Sequence, residues 1–399
     1  MDQAHGPLTG LSAKPAPAPT RVEIVDVHGP RLADFAPWIA AILFVALFLY
    51  LFSSVLMPFV AGIALGYLLD PVAEKLERLG FNRLGAALFI LGVSLIVIVL
   101  ALVLIGPVLG HQLSAFVENL PRIVLRLQTL VSDWASKILD TSWGAEVAAK
   151  LGLGAGNPGD IQKALGDFAG DAAKWLGGFA KSLISGGAAL VGLLSLVVVT
   201  PVVAFYILVD WNRMIASVRS LVPPRYLADV GMVARDVDRA LAGFLRGQSL
   251  VCLFLGLWYG LGLTLIGLNY GFLIGITAGF LSFIPYVGSL TALVVSAVVA
   301  LVQGWPDWTM LAMAIGVVAT GQFLEGNVLS PKLVGESVGL HPVWLMFALL
   351  AAGSLFGFTG LIVAVPVAAA LGVLLRFFFA RYRRSPFYLG EDSGAANQP

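Results

Sequence analysis

Six stretches of this sequence contain no Asp, Glu, Lys or Arg: Phe35 to Leu69, Leu84 to Val117, Ser182 to Val209, Gly247 to Pro306, Trp308 to Leu324 and Ser337 to Leu375. A helix rising ~1.5 Å per residue needs roughly 20 mostly apolar residues to cross a hydrocarbon core ~30 Å thick. A water-soluble domain is ordinarily ~25% charged and has no use for so many such runs. Here 12% of 399 residues are charged, 59% are hydrophobic, and the mean hydropathy is +0.92. These runs predict an all-α polytopic membrane protein of about eight transmembrane helices. Some should be broken or re-entrant, with a helical extracytoplasmic segment added and the lipid bilayer as surroundings.

Several function classes fall away. The net charge of +1 gives no electrostatic reason for a nucleic-acid partner. Cys252 is the single cysteine, so neither an intrachain disulfide nor a thiolate metal cage can form. His5, His28, His111 and His341 are too scattered for a zinc motif, and no Gly-Lys dipeptide exists to build a Walker A loop. No nucleophile–base pair or carboxylate cluster suggests an enzyme, and no cofactor or metal is implied. Any transport must then run on a gradient, a partner or the solute's own concentration difference.

Basic residues of short loops favour the cytoplasm. Lys75, Arg78 and Arg83 mark one such loop; Arg213, Arg219, Arg225, Arg235, Arg239 and Arg246 mark another; Arg376, Arg381, Arg383 and Arg384 mark the carboxyl flank. With Lys14, Arg21 and Arg31 they place both termini inside. The segment from Gly110 to Lys181 holds seven basic and seven acidic residues, is long, and goes outside by alternation. The expected organisation is a flexible cytoplasmic tail (1–34), N-terminal membrane helices (35–109), and the extracytoplasmic helical segment (110–181). A membrane helix (182–209), an Arg-rich cytoplasmic segment (210–246), a C-terminal membrane bundle with broken helices (247–380) and a tail (381–399) complete it. The first apolar run is too long for a signal peptide and reads as a retained anchor.

Phe35 to Leu69 would be ~52 Å long as one helix. With Pro58 past its middle, two short helices fit better than one span. Gly247 to Pro306 holds two or three passes, punctuated at Asn269-Tyr270-Gly271 and Ile284-Pro285-Tyr286-Val287-Gly288. Trp308 to about Asn327 reads as one more pass, and Val343 to Leu375 as a final pair turning at Gly353 and Gly357. Outside, Phe116, Leu120, Ile123, Leu127, Leu130 and Trp134 alternate steps of four and three, as do Ile161, Leu165, Phe168, Ala172, Trp175 and Phe179. That period describes helices with a narrow apolar seam, joined by the glycine-rich loop Leu151 to Asp160. The seam serves either packing within the segment or contact between subunits.

Irregular backbone at membrane depth survives only where protein or a water-filled cavity covers it, so broken helices point to transport sites. The first candidate runs from Gly279 to Gly288. Pro285 removes a donor, Gly288 permits an unusual backbone, and Tyr286 offers a hydroxyl; a ligand-free turn is the plain alternative. The second runs from Gly321 to Lys332. Gln322 and Glu325 share a helix face. Low dielectric would disfavour the charge on Glu325, as a proton-coupling carboxylate requires. Alternatively Glu325 sits at the interface, solvated or paired with Lys332. Gln248 and Ser249 mark a span start, Gln303 an aromatic-belt boundary, and Gly256, Gly260 and Gly262 close helix packing.

Order and spacing of several motifs resemble the autoinducer-2 exporter family, the PerM-type permeases. They are Phe244-Leu245-Arg246-Gly247-Gln248, Leu261-Gly262-Leu263 with Gly267-Leu268-Asn269-Tyr270, and Ile284-Pro285-Tyr286-Val287-Gly288. Leu324-Glu325-Gly326-Asn327 with Pro331-Lys332, Gly339-Leu340-His341-Pro342, Phe356-Gly357, Gly360 and Ala364-Val365-Pro366 follow. Pro58, Leu69-Asp70-Pro71 and Leu76-Glu77-Arg78 fit more loosely. The resemblance implies a bacterial inner-membrane, multi-pass protein, commonly homo-oligomeric. Members resemble either exporters of the small polar signal autoinducer-2 or sodium or lithium for proton antiporters. By position it carries over Arg246, Gln248, Pro285, Tyr286, Glu325, Asn327 and Lys332, and departs at Phe323, where a second polar residue is expected. The leading expectation is export of a small polar solute by alternating access, with proton coupling at Glu325. A monovalent cation/proton antiporter and a non-transporting membrane scaffold are the alternatives.

Overall fold

The computed structural model describes residues 50–52, 55–139, 187–334 and 341–384, with positions 44, 47, 48 and 388. The 1–34 tail, most of the first half of the Phe35 to Leu69 run, the 151–160 loop, the second amphipathic helix and most of the 381–399 tail lie outside the described residues. Met1–Leu49 and Tyr50–Pro399 form separate units. In the first, Phe44, Leu47 and Phe48 are helical and exposed. All that follows concerns the second.

Every regular element among the described residues is a helix. These are α1 (Leu56–Arg78), α2 (Arg83–Leu139), α3 (Gly187–Ser220), α4 (Leu227–Leu265), α5 (Gly271–Leu281), α6 (Val287–Gly304), α7 (Thr309–Leu324) and α8 (Pro342–Arg383). A single 3-10 turn, Pro224–Tyr226, precedes α4, and a π-helical segment, Glu325–Val334, continues α7. Seven helical stretches are long and apolar enough to span a membrane; α5, with 11 residues, is not. At ~1.5 Å per residue α5 reaches only ~16 Å, half the hydrocarbon thickness. The protein is thus a polytopic all-helical membrane protein with a short element set among its spans.

The helices run through several points where charge density changes, at 109/110, 209/210 and 246/247. The 57 residues of α2 would extend ~86 Å, so it leaves the bilayer and carries the seam of Leu120 and Leu130, both buried, beyond it. In its apolar first half, Ile96 to Leu104 is exposed almost throughout, as a lipid-facing surface should be. One expectation changes: the pass expected to end near Asn327 continues to Val334 with wider turns. Pro331 explains this, since in a regular α-helix its ring would meet the carbonyl four residues back. The final pair turns at Gly357, at φ 58° and ψ −138°, a conformation open to glycine alone.

Three buried clusters organise the packing. Val251, Leu255, Tyr259 and Leu263 recur every four residues along α4 and meet Ile274 and Ala278 of α5, Ala292 and Val299 of α6, and Ala314 and Val318 of α7. Phe244 and Leu245 of α4 meet Ile284, Leu349 and Val365. Ala73 of α1, Ala87 and Ile90 of α2 and Leu208 of α3 make the third. The centre of the molecule is therefore α4, with α5 lying along it.

Candidate functional site

The break between α5 and α6 is built by three local features. Ser282 ends α5, its hydroxyl turned back onto the Ala278 carbonyl at 2.8 Å. Tyr286 opens α6 in the left-handed region at φ 69°, a conformation that costs a non-glycine residue free energy. Gly288 is buried against Ser282 and the Ala278 carbonyl so closely that a Cβ would overlap both. Across this break Gln248, 8% exposed on α4, donates from Nε2 to the Ser282 carbonyl at 2.6 Å. That bond satisfies a carbonyl the interrupted helix leaves free. Gln248, expected at a span start and among the pathway candidates, bonds the broken backbone here. Pro285 is half-buried and Tyr286 exposed.

The second centre lies where α7 becomes π-helical. Gln322 Nε2 donates to Glu325 Oε2 at 2.6 Å and approaches the Tyr259 hydroxyl at 3.4 Å. Glu325 is half-buried, and Gln322 links it to Tyr259 of α4. Tyr259 is fully buried, its ring held against Gly321, where any Cβ would strike it. Gln322 and Glu325 thus share one face, as the three-residue spacing predicts, and that face meets α4. Among the described residues no ion pair joins Glu325 to Lys332, which is exposed. Asn327 is exposed and donates to the Phe323 carbonyl of its own helix at 3.0 Å.

The nine candidate residues therefore fall in three places. Pro285, Tyr286, Gly288 and Gln248 meet at the α5–α6 break; Gln322 and Glu325 meet Tyr259, with Asn327 and Lys332 on the same segment facing away. Cys252, one turn beyond Gln248, links the first two places along α4. Arg246 points elsewhere, since two residues on a helix are ~200° apart. Its Nε donates to the Tyr67 carbonyl at 3.3 Å. It lines a cavity of about 50 Å³ with Gly66, Tyr67, Asp70, Trp211 and Asp238.

Two groups went unread in the sequence. Tyr259 stands in an apolar run like any core residue; Gly321, 62 positions later, was the only hint that room is kept for its ring. The Tyr67 hydroxyl donates to Asp238 at 3.1 Å, a pairing of residues 171 apart that no local pattern signals. Nearby, Arg83 bonds Asp70 at 2.7 Å, Glu77 at 3.2 Å and the Leu208 carbonyl at 2.6 Å, tying α1, α2 and α3 together. No group of three or more metal-ligating side chains gathers among the described residues.

Polar side chains set against α4, in an apolar bundle that also holds a helix too short to span a bilayer, fit a membrane transporter. Related sequences agree. "Putative transport protein YrrI" of Bacillus subtilis (strain 168) is 29% identical over 362 residues, covering 86% of this chain and 95% of YrrI. "Putative permease PerM" of Escherichia coli (strain K12) is 28% identical over 334 residues, covering 82% of this chain and 88% of PerM. The sequence model of the AI-2E family transporters matches residues 39–380. With that match running across every helix described above, the chain belongs to the AI-2E family of transporters.

Proposed function

We propose that this membrane transporter exports a small polar solute, autoinducer-2 or a molecule like it, by alternating access, with Glu325 coupling the movement to protons. The observation that carries this reading is the Gln322–Glu325 pair facing Tyr259 of α4. A carboxylate, an amide and a phenol present donors and acceptors to hydroxyl and carbonyl groups of a solute. The exposed Tyr286 hydroxyl and the carbonyls of the π-helical segment extend that set. Binding would sit between α4 and the α7 segment, and rocking or sliding of the α4–α7 bundle against α1–α3 would expose it to either side. The protein would work in a bacterial inner membrane with both termini cytoplasmic, as a homo-oligomer.

The antiporter reading has one observation in its favour. Glu325 opens a stretch of widened turns whose carbonyls could join it around Na⁺ or Li⁺. A single carboxylate is a sparse cation site, so solute export is preferred. Liposomes with an acid interior and a trapped pH dye separate the two. Rapid alkalinisation on adding external Na⁺ or Li⁺, absent in Glu325→Gln, would replace the solute reading with cation/proton exchange. An unchanged interior removes the antiporter.

A further inference from the structure

The helices α1–α3 and the bundle α4–α7 keep their cores largely to themselves. Ala73, Ala87, Ile90 and Leu208 form one; Val251 to Val318 form another. Among the described residues, the side chains of α1 and α2 that reach across to the clusters of the other helices are Ala64 and Tyr67 at one end and Phe116 at the other. Polar bonds accompany each crossing. At the first, the Tyr67 hydroxyl donates to Asp238 of α4 at 3.1 Å and the Tyr67 carbonyl accepts from Arg246 at 3.3 Å. Trp211 of α3 packs its ring against the Tyr67 ring edge-on, at 5.3 Å. At the second, Gln112 Oε1 of α2 accepts from the Leu273 amide at 2.9 Å, in the first turn of α5, where backbone donors have no helical partner. The Tyr270 hydroxyl donates to the Ala115 carbonyl at 3.4 Å, and its ring meets Phe116 at 5.2 Å.

These two crossings lie about one hydrocarbon thickness apart along α4. Along α4 the 19 helical steps from Arg246 to Leu265, just before the Tyr270 turn, span ~28 Å, close to the hydrocarbon thickness. Glu325, Gln322 and Tyr259 sit between them. The bonds are the kind a moving interface can exchange: neutral or singly charged, and at most partly buried. A buried apolar seam the length of the interface would not release so readily.

We propose that Tyr67–Asp238, with Arg246 on the Tyr67 carbonyl, and Gln112 on the α5 amino terminus, with Tyr270 on α2, are two latches. Each closes one face of the transport pathway, and the structure is the state with both shut. The solute or ion reaches the Glu325 region only when one of them opens. This deepens the alternating-access reading and rests on it.

The sole cysteine supplies the test, because Cys252 lies on α4 between Gln248 and Tyr259, six residues from Arg246. A membrane-impermeant, charged methanethiosulfonate is applied to right-side-out and inside-out vesicles holding the full chain, and the rate of Cys252 modification is read. Tyr67→Phe keeps the ring against Trp211 and removes only the bond to Asp238. It should speed labelling about tenfold from the Tyr67 face alone, the lower end of what a hydrogen bond to a charged group gives. Asp238→Asn should do the same more weakly, and Gln112→Leu should act from the opposite face alone. Unchanged rates in Tyr67→Phe and Gln112→Leu overturn the proposal. So does faster labelling from both faces in one single variant, which marks a loosened bundle. The measurement uses no solute, so a failure of export and a failure of the latches are seen separately.

Discussion

Alanine at four glycines of one helix crossing should give two opposite results. α4 carries Gly256 and Gly260, and α5 carries Gly275 and Gly279; the four meet where the two helices lie closest. A Cβ on Gly275 would fall on the Gly260 amide and Cα, and one on Gly279 on the Gly256 amide and Cα. Both obstacles are backbone, which cannot rotate away. Carbon atoms in contact sit ~3.5–4.0 Å apart, so the helices would have to part by more than about 1 Å along the core's longest contact. Such overpacking costs about 3 kcal/mol, the upper part of its usual range, or a factor of ~150 in the folding equilibrium. The reverse substitutions are different. A Cβ on Gly256 has the Gly279 Cα at 3.7 Å, and one on Gly260 meets the Phe272 ring at 3.4 Å and the Ile276 side chain at 3.7 Å. Those are ordinary contacts, and Gly256→Ala and Gly260→Ala should cost under ~1 kcal/mol, offset in part by alanine's better helix propensity. Titration with SDS in mixed micelles, followed by tryptophan fluorescence, measures all four. Equal midpoints for Gly275→Ala and Gly256→Ala, or a reversed order, would refute the packing argument.

Arg83→Ala should destabilise by about 2–4 kcal/mol in the same titration, because it strands two partly buried carboxylates and the Leu208 carbonyl; Arg83→Lys, lacking the planar fork, should recover only part. Gly357→Ala should cost about 1–3 kcal/mol, since φ 58° with ψ −138° has no comfortable alternative for a Cβ. The Thr309 amide and hydroxyl, donating to Asp307 at 2.9 and 2.6 Å, hold that carboxyl below its ordinary value. A depressed folded value contributes stability above the unfolded value of ~3.9 and loses it as pH falls through the folded one. Thr309→Ala should therefore lower the unfolding midpoint at pH 6, and the difference should shrink towards pH 2.

What the sequence discloses here is set by range. Uncharged runs and proline or glycine interruptions are local, so the spans, the break at Pro285 and Gly288, and the turn at Gly357 could all be read in advance. The Gln322–Glu325 pair was legible for the same reason, being three residues apart on one face. Gln248 was legible on a span, but its bond to the Ser282 carbonyl was not, because that partner is 34 residues away. Tyr67–Asp238, Gln112 with α5, and Tyr259 under Gly321 join distant segments, and nothing in their neighbourhoods marks them. The π-helical continuation through Pro331 also escaped, since a proline after a polar residue ordinarily reads as the end of a helix.

The export claim is tested most directly by trapping labelled autoinducer-2 in proteoliposomes and following its release with and without an imposed proton gradient. The account predicts release faster than from protein-free liposomes, responsive to the gradient in the wild type and unresponsive in Glu325→Gln. Release no faster than from protein-free liposomes would contradict it.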